Sequence, residues 1–318
     1  MDIGLMVEGQ DGLTWERWLH ILALAERLGF PTLFRSDHYF TGGVQQDSLD
    51  TYTSLAVAAR ETTRMRFGPL VSPVTFRPPA EVGRMAAPLD LLSGGRFVLG
   101  VGNGWNEPEH RAYGIPFPPP GERTARLREA VELMRTMWGP GPASYSGHYY
   151  TLEDADPLPK PVQGRPWLLI GGSGPKRTLR LVAEQADEWN SISTTPGAYA
   201  EKNSVLGGHC EAVGRDPGSI KRTVMTFGLV GPDQKAVDRA TELAARVMNR
   251  DLHLSLAERQ QQSRQRGHLV GTTEEIVEQL GRLAEVGVNE VQFQHFDFDD
   301  DAIPEFLAAE IAPRVRGF

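Results

Sequence analysis

Four short stretches of the chain carry side chains whose types and spacing suit catalysis or ligand binding. The first is Ser36-Asp37-His38-Tyr39, a carboxylate beside an imidazole. Histidine titrates near ~6.5, so it can give or take a proton at neutral pH and can donate a hydrogen bond to a bound ring. A loop pair satisfied within the protein is the plainer alternative, and a metal site is a third. No second His or Glu stands at a ligand spacing nearby in the sequence, which weakens the metal. The second stretch, Gly100-Val101-Gly102-Asn103-Gly104-Trp105-Asn106-Glu107, has glycines that let backbone approach a ligand closely. As a dinucleotide fingerprint it is weak, because its third glycine arrives one residue early for GxGxxG.

The third stretch is Gly171-Gly172-Ser173-Gly174-Pro175-Lys176-Arg177-Thr178, where Pro175 suits the first residue of a helix. Free N–H groups at such a start, with Lys176 and Arg177, make an anion site; a tight turn with solvated basic residues is the equal alternative. Pro175 interrupts the ending that a Walker A motif needs. The fourth runs from Pro69 to Pro79, with further prolines at 73 and 78 that forbid a continued strand. It reads either as a stiff loop or as a bulge that pushes backbone toward a ligand. The acidic run Asp297, Asp299, Asp300, Asp301 lacks the glycine and distal glutamate of a calcium loop and reads as a solvated turn. His209, His253, His268 and His295 stand singly and receive no role.

The elements that must position these stretches follow from periodicity. Eight short apolar runs alternate with segments of helical period: Ile3 to Val7, Thr32 to Arg35, Met65 to Val71, Phe97 to Val101, Trp167 to Ile170, Glu188 to Ile192, Lys221 to Leu229 and Glu290 to Gln294. Several are apolar on both faces, as buried parallel strands are. Between the first two, Trp15, Trp18, Leu19 and Leu22 form a stripe expected to face inward. Thr272 and Glu275 have the spacing of a capping box ahead of the stripe Ile276, Val277, Leu280, Leu283. The windows 139–166 and 258–266 break the rhythm and read as insertions. Eight strands with helices between them predict a closed (β/α)8 TIM barrel, residues 1–318 forming one domain. In such barrels chemistry sits on the loops after the C-terminal strand ends, and all four stretches fall there.

Composition narrows the partners. A net charge of −8 supports neither a nucleic-acid groove nor a polybasic membrane patch, and the expected partner is a small molecule. No secretory start precedes Val7 and no apolar run reaches the ~20 residues that span a bilayer. The single cysteine, Cys210, excludes an intramolecular disulfide; a cytoplasmic location with Cys210 as a partly buried helix thiol is expected. Apolar surface on barrel helices is compatible with a homodimer.

Taken together in order and spacing, these motifs resemble the luciferase-like monooxygenase superfamily, in particular its coenzyme F420-dependent oxidoreductase branch. The resemblance rests on Ser36-Asp37-His38, on residues 100 to 110 running into Ala112-Tyr113-Gly114-Ile115-Pro116-Phe117, on Gly171-Gly172-Ser173-Gly174, and on Ser146-Gly147-His148-Tyr149-Tyr150 with Pro161, Gln163 and Pro166 in the long insertion. It implies F420, with FMN as the alternative cofactor, at the barrel mouth. Asp37 and His38 would face the ring, with His38 as proton donor or acceptor. Leu70 and Val71 would form a bulge behind the ring, often through a non-proline cis peptide. Ser72, Asn103, Gly104 and Asn106 would contact the ring edge and ribityl chain, and Gly172, Ser173, Gly174 and Pro175 would close on the phosphate. One departure matters: where the sugar-phosphate dehydrogenases of the branch carry a catalytic glutamate, this chain has Trp105. Residues 191–199 also contain no Lys or Arg to grip a substrate phosphate. Both argue for a less charged substrate than glucose 6-phosphate. The expected reaction is hydride transfer to or from a small organic molecule; an FMN-dependent monooxygenase and a flavin-binding barrel without turnover are the alternatives.

Overall fold

A computed structural model describes residues 1–42, 46–247 and 250–318. Eight parallel staves are present: β1 (Asp2–Val7), β2 (Thr32–Arg35), β3 (Arg66–Pro69), β4 (Val98–Gly102), β5 (Trp167–Gly171), β6 (Glu188–Ile192), β7 (Lys221–Val230) and β8 (Glu290–His295). Hydrogen-bonded neighbours run β3, β2, β1, β8, β7, β6, β5, β4, and a parallel bridge from Phe67 to Phe97 brings β3 back to β4. A barrel therefore forms, as the strand count predicts. At the seam the backbones are so close that a Cβ on Gly68 would lie 1.9 Å from the Val98 carbonyl oxygen, and one on Gly100 2.0 Å from that of Pro69. Only glycine fits there.

The expected strand from Met65 to Val71 is interrupted. It ends at Pro69, passes through a cis peptide between Leu70 and Val71, and resumes as the short strand Ser72–Pro73 against Val101 and Gly102 of β4. The proline-rich stretch is thus a bulge at the barrel mouth rather than a loop already clear of the sheet.

The helix α1 (Trp15–Leu28) corrects the stripe read from sequence: Trp15 and Leu19 are exposed, while Trp18, Ile21, Leu22 and Ala25 are buried. The indole N–H of Trp18 donates to the Ser54 carbonyl at 2.9 Å, which fixes the helix phase one step round from expectation. The next helices are α2 (Thr51–Glu61), α3 (Pro79–Leu92), α4 (Glu107–Ala112) and α5 (Pro120–Trp138). Within the window 139–166 lies an antiparallel hairpin, Ala143–Ser146 with Thr151–Ala155, whose turn donates backbone N–H groups of His148 and Tyr149 to the Glu129 carboxylate. The turn Pro175-Lys176-Arg177 precedes α6 (Thr178–Gln185), so the helix starts three residues beyond the proline, contrary to expectation. Then come α7 (Pro196–Ala212), holding Cys210 fully buried, and α8 (Gln234–Val247). The polar tract near 258–266 is the helix α9 (Leu256–Gln265), opened by a Ser255/Glu258 capping box; a short strand, Leu269–Gly271, follows it and pairs with the end of β7. The predicted box of Thr272 and Glu275 opens α10 (Thr273–Glu285). No helix among the described residues is long and apolar enough to cross a membrane.

Candidate active site

A cavity of about 690 Å³ opens at the C-terminal mouth of the barrel, lined from the ends of β1 to β8 and by residues following α8. Its floor is Met6, Leu70 and Asn190. One wall is apolar, with Ile192, Met225, Phe227 and Phe296, and Trp105 stands at the rim. The ends of β1 and β2 add a polar part of the lining, with Glu8, Gln10, Asp11, Ser36 and His38.

His38 follows β2 and lines the cavity. Its Nδ1 lies 2.8 Å from Oε1 of Glu109, and the other oxygen of that carboxylate accepts the Tyr39 backbone N–H at 3.0 Å. Glu109 is wholly buried on α4. That helix is itself anchored: His110 bridges the Asn106 carbonyl and the Thr75 hydroxyl, each at 2.7 Å, and the Asn106 amide donates to the Phe40 carbonyl at 2.6 Å. With Nδ1 held by Glu109, Nε2 is the nitrogen left for the cavity, and the tautomer is set by a second residue in the way that catalytic histidines require. Burial opposes the charged ring, but the Glu109 hydrogen bond, with the charges of Glu109, Glu8 and Asp37, raises its pKa above the ordinary value. The Trp105 ring meets the imidazole edge-on at 5.4 Å.

Several expected contacts are placed differently. Asp37 does not line the cavity: it is 2% exposed and turned into a two-pronged pair with Arg77, at 2.6 and 3.2 Å, with the Ser72 hydroxyl donating to it at 2.7 Å. Ser72 reaches Tyr52 as well, at 3.1 Å, so both residues belong to a buried network behind the wall. A carboxylate flanked by a guanidinium cannot leave it for a cavity without losing a strong pair. Asn106 is likewise spent on Phe40, away from the ring edge assigned to it. Gly174 and Pro175 also lie off the cavity lining, because the chain turns outward after Ser173. His38, Leu70, Val71, Asn103, Gly104, Gly172 and Ser173 do line it.

Two features of this lining suit a planar ring with a polar tail. The Val71 side chain fills space that β4 and β5 leave open: a Cβ on Gly102 would lie 2.6 Å from it, and one on Gly171 3.0 Å. The result is a smooth apolar ridge under the cavity. Asn103 donates to the Thr124 hydroxyl at 3.1 Å, yet its Oδ1 is buried with no partner among the described residues, a condition that a bound donor would relieve. Beyond Ser173 an outer groove of about 800 Å³ carries Lys176, Arg177, Arg128 and Arg180 beside Glu122, Glu129 and Glu184, and Glu184 pairs with both Arg128 and Arg180.

Sequence reasoning missed Glu109, although it stands inside the stretch 100 to 110, because nothing local signals a contact made across 71 residues. It missed Glu8 and Asp11 on the loop after β1 altogether. It also found no cation in residues 191–199, which holds; Arg250, after α8, is nevertheless on the cavity, exposed, with Asp251 at 3.8 Å.

The family model of the luciferase-like monooxygenases matches residues 3–290. The chain belongs to that family. Within it, an F420-dependent glucose-6-phosphate dehydrogenase of Segniliparus rotundus is 29% identical over 313 residues, covering 92% of this chain and 91% of that one. An uncharacterized protein of Mycobacterium tuberculosis is 36% identical over 149 residues, 47% of this chain and 51% of that one, so the match spans about half the length of such curated relatives. Among solved structures, the F420-dependent tetrahydromethanopterin reductase of Methanopyrus kandleri superposes with a TM-score of 0.83 at 19% identity, covering 99% of this luciferase-like chain and all of the other.

Proposed function

We propose that this luciferase-like protein is an F420-dependent oxidoreductase, in which His38 exchanges a proton with a small organic substrate. The observation that carries the reading is the His38–Glu109 pair at the edge of a cavity with a Val71 ridge beneath it and an unpartnered Asn103 Oδ1 beside it. The name and near-complete coverage of the Segniliparus relative support the deazaflavin over FMN.

The deazaflavin, when bound, supplies hydride chemistry, and the protein supplies position, exclusion of water and a proton relay. Leu70 and Val71 would support the ring, Asn103 and Gly104 would meet its polar edge, and Gly172 and Ser173 would lead the tail toward Lys176 and Arg177 of the outer groove. Glu109 holds Nδ1, so that His38 Nε2 gives or takes the proton, and the neighbouring carboxylate stabilises the imidazolium that forms. Ile192, Met225, Phe227 and Phe296 favour a substrate with an apolar body. Trp105 cannot carry a proton, which together with the apolar wall supports a substrate other than a sugar phosphate.

Titrating the purified protein separately with F420 and with FMN, and following ring fluorescence, tests the reading. Saturable F420 binding is expected. Binding of FMN with none of F420 would replace it with the flavin monooxygenase alternative.

A further inference from the structure

The loop after β1 presents a carboxyl group to the cavity that the mechanism above does not use. Glu8 is already satisfied: its two oxygens accept from the side-chain amides of Gln10, at 2.9 Å, and Gln294. Asp11, on the same wall, makes no side-chain hydrogen bond among the described residues. Gln294, only 6% exposed and also on the cavity, spends its amide N–H on Glu8 and leaves Oε1 without a partner among the described residues. Two hydrogen-bond acceptors are thus left over on the cavity. A buried acceptor without a donor is costly, and Gln294 Oε1 is one; the half-buried Asp11 carboxyl adds a second acceptor open to a donor from outside the protein.

The loop is latched in place. Gly9 N–H donates to the Ser36 hydroxyl at 2.8 Å, and that hydroxyl donates to Gln10 at 2.6 Å. Asp11 N–H reaches the Glu8 carbonyl at 3.0 Å, Gly12 N–H the Asp47 carbonyl at 3.1 Å, and Arg17 donates to the Gly12 carbonyl at 2.7 Å. These bonds fix the backbone from which the Asp11 side chain reaches the cavity, with no ligand needed to order the loop. Burial, with the charge of Glu8 added, pushes the Asp11 carboxyl up to about 7, while His38 works in the other direction. Glu109 stands behind His38, and among the described residues Arg250 is the Lys or Arg that lines the cavity.

We infer that Asp11, with Gln294 Oε1 on the same cavity, is a substrate-recognition residue that accepts a hydrogen bond from a second donor group on the substrate. The donor is distinct from the group that exchanges a proton with His38, since a hydroxyl has one hydrogen to give. The substrate class is therefore an apolar-bodied molecule bearing two donors, such as a diol or hydroxy amide. The inference rests on the proposed role of His38, but the recognition itself does not depend on which cofactor is bound.

The test compares trans-1,2-cyclohexanediol with trans-2-methoxycyclohexanol, which lacks the second donor, by ligand-observed NMR titration of the protein without cofactor at about pH 8, above the Asp11 pKa of about 7. A hydrogen bond to a charged group is worth roughly 1.5–3 kcal/mol, so the diol is expected to bind about tenfold or more tightly than the methyl ether. Asp11→Leu should abolish that preference, and the near-isosteric Asp11→Asn, whose amide oxygen still accepts, should retain part of it. Equal affinities in the wild type, or an undiminished preference in Asp11→Leu, would overturn the assignment. Failure of F420 to bind would sink the cofactor reading alone and leave this comparison intact.

Discussion

The two ends of the barrel contain similar side chains used in opposite ways. At the N-terminal floor, Glu290 accepts from Lys221 at 2.5 Å, from Gln292 at 3.0 Å and from Thr32, while Glu188 accepts from Thr223 at 3.0 Å and Trp167 at 3.2 Å. Asn190 joins Thr223 and Gln292, closing the network across the barrel. At the C-terminal mouth, Asn103 Oδ1, Gln294 Oε1, the Asp11 carboxyl and His38 Nε2 are left without protein partners among the described residues. Saturated polar groups stabilise a fold; unsaturated ones bind ligands at a cost in stability. One barrel therefore separates the two demands by about the length of a strand.

Substitutions can break this comparison at either end, and the largest expected effect is at the mouth. His38→Ala should lower turnover by about 100-fold or more while F420 binding stays measurable, because proton transfer is lost and the ridge is intact. Unchanged turnover would remove His38 from the mechanism. At the floor, Lys221→Met leaves the buried Glu290 charge without its cation and should cost about 3 kcal/mol in denaturant unfolding. Cofactor affinity of the folded fraction should not move; a mouth effect without a stability effect would invert the assignment of the two ends.

Glu109→Gln joins the ends, since it removes a saturated partner from a functional group. Its amide can still accept from His38 Nδ1, so turnover at its optimum should fall by roughly tenfold rather than a hundredfold, with the His38 limb of the pH profile moved to lower pH. Stability should follow the same titration. The folded protein holds the His38 pKa above its ordinary 6.5, so the contribution of Glu109 is full below that value and fades as pH rises through the folded pKa. Wild type and Glu109→Gln should therefore differ in stability on the acid side and converge on the alkaline side. The smallest effect is expected at the rim: Trp105 is 65% exposed, and Trp105→Ala should change substrate affinity by only a few-fold, seen in KM with kcat nearly unchanged.

The same contrast explains what could be read from sequence. The staves were legible because short strand-like runs of four to ten residues alternate regularly with segments of helical period. His38, Asn103, Gly172 and Ser173 could be placed at the cavity from sequence because a barrel's mouth is lined by residues just beyond its strand ends. Asp37 was misread because the partner that turns it from the cavity, Arg77, lies 40 residues on, and a proline-rich loop gives no hint of where its arginine points. Glu109 and Gln294 were hidden for the same reason, their partners being far away in sequence. The phase of α1 depended on one long-range bond, from Trp18 to the Ser54 carbonyl, which local periodicity does not contain.

The central claim is that the mouth supports hydride exchange with a deazaflavin rather than oxygen chemistry on FMN. An anaerobic reaction of the protein with F420 and a panel of apolar-bodied alcohols and ketones, followed by the deazaflavin absorbance and repeated in an oxygen electrode, tests it most directly. The account predicts redox change of F420 without oxygen, at a rate that oxygen does not increase. Turnover seen only with reduced FMN, and matched by oxygen uptake, would contradict it.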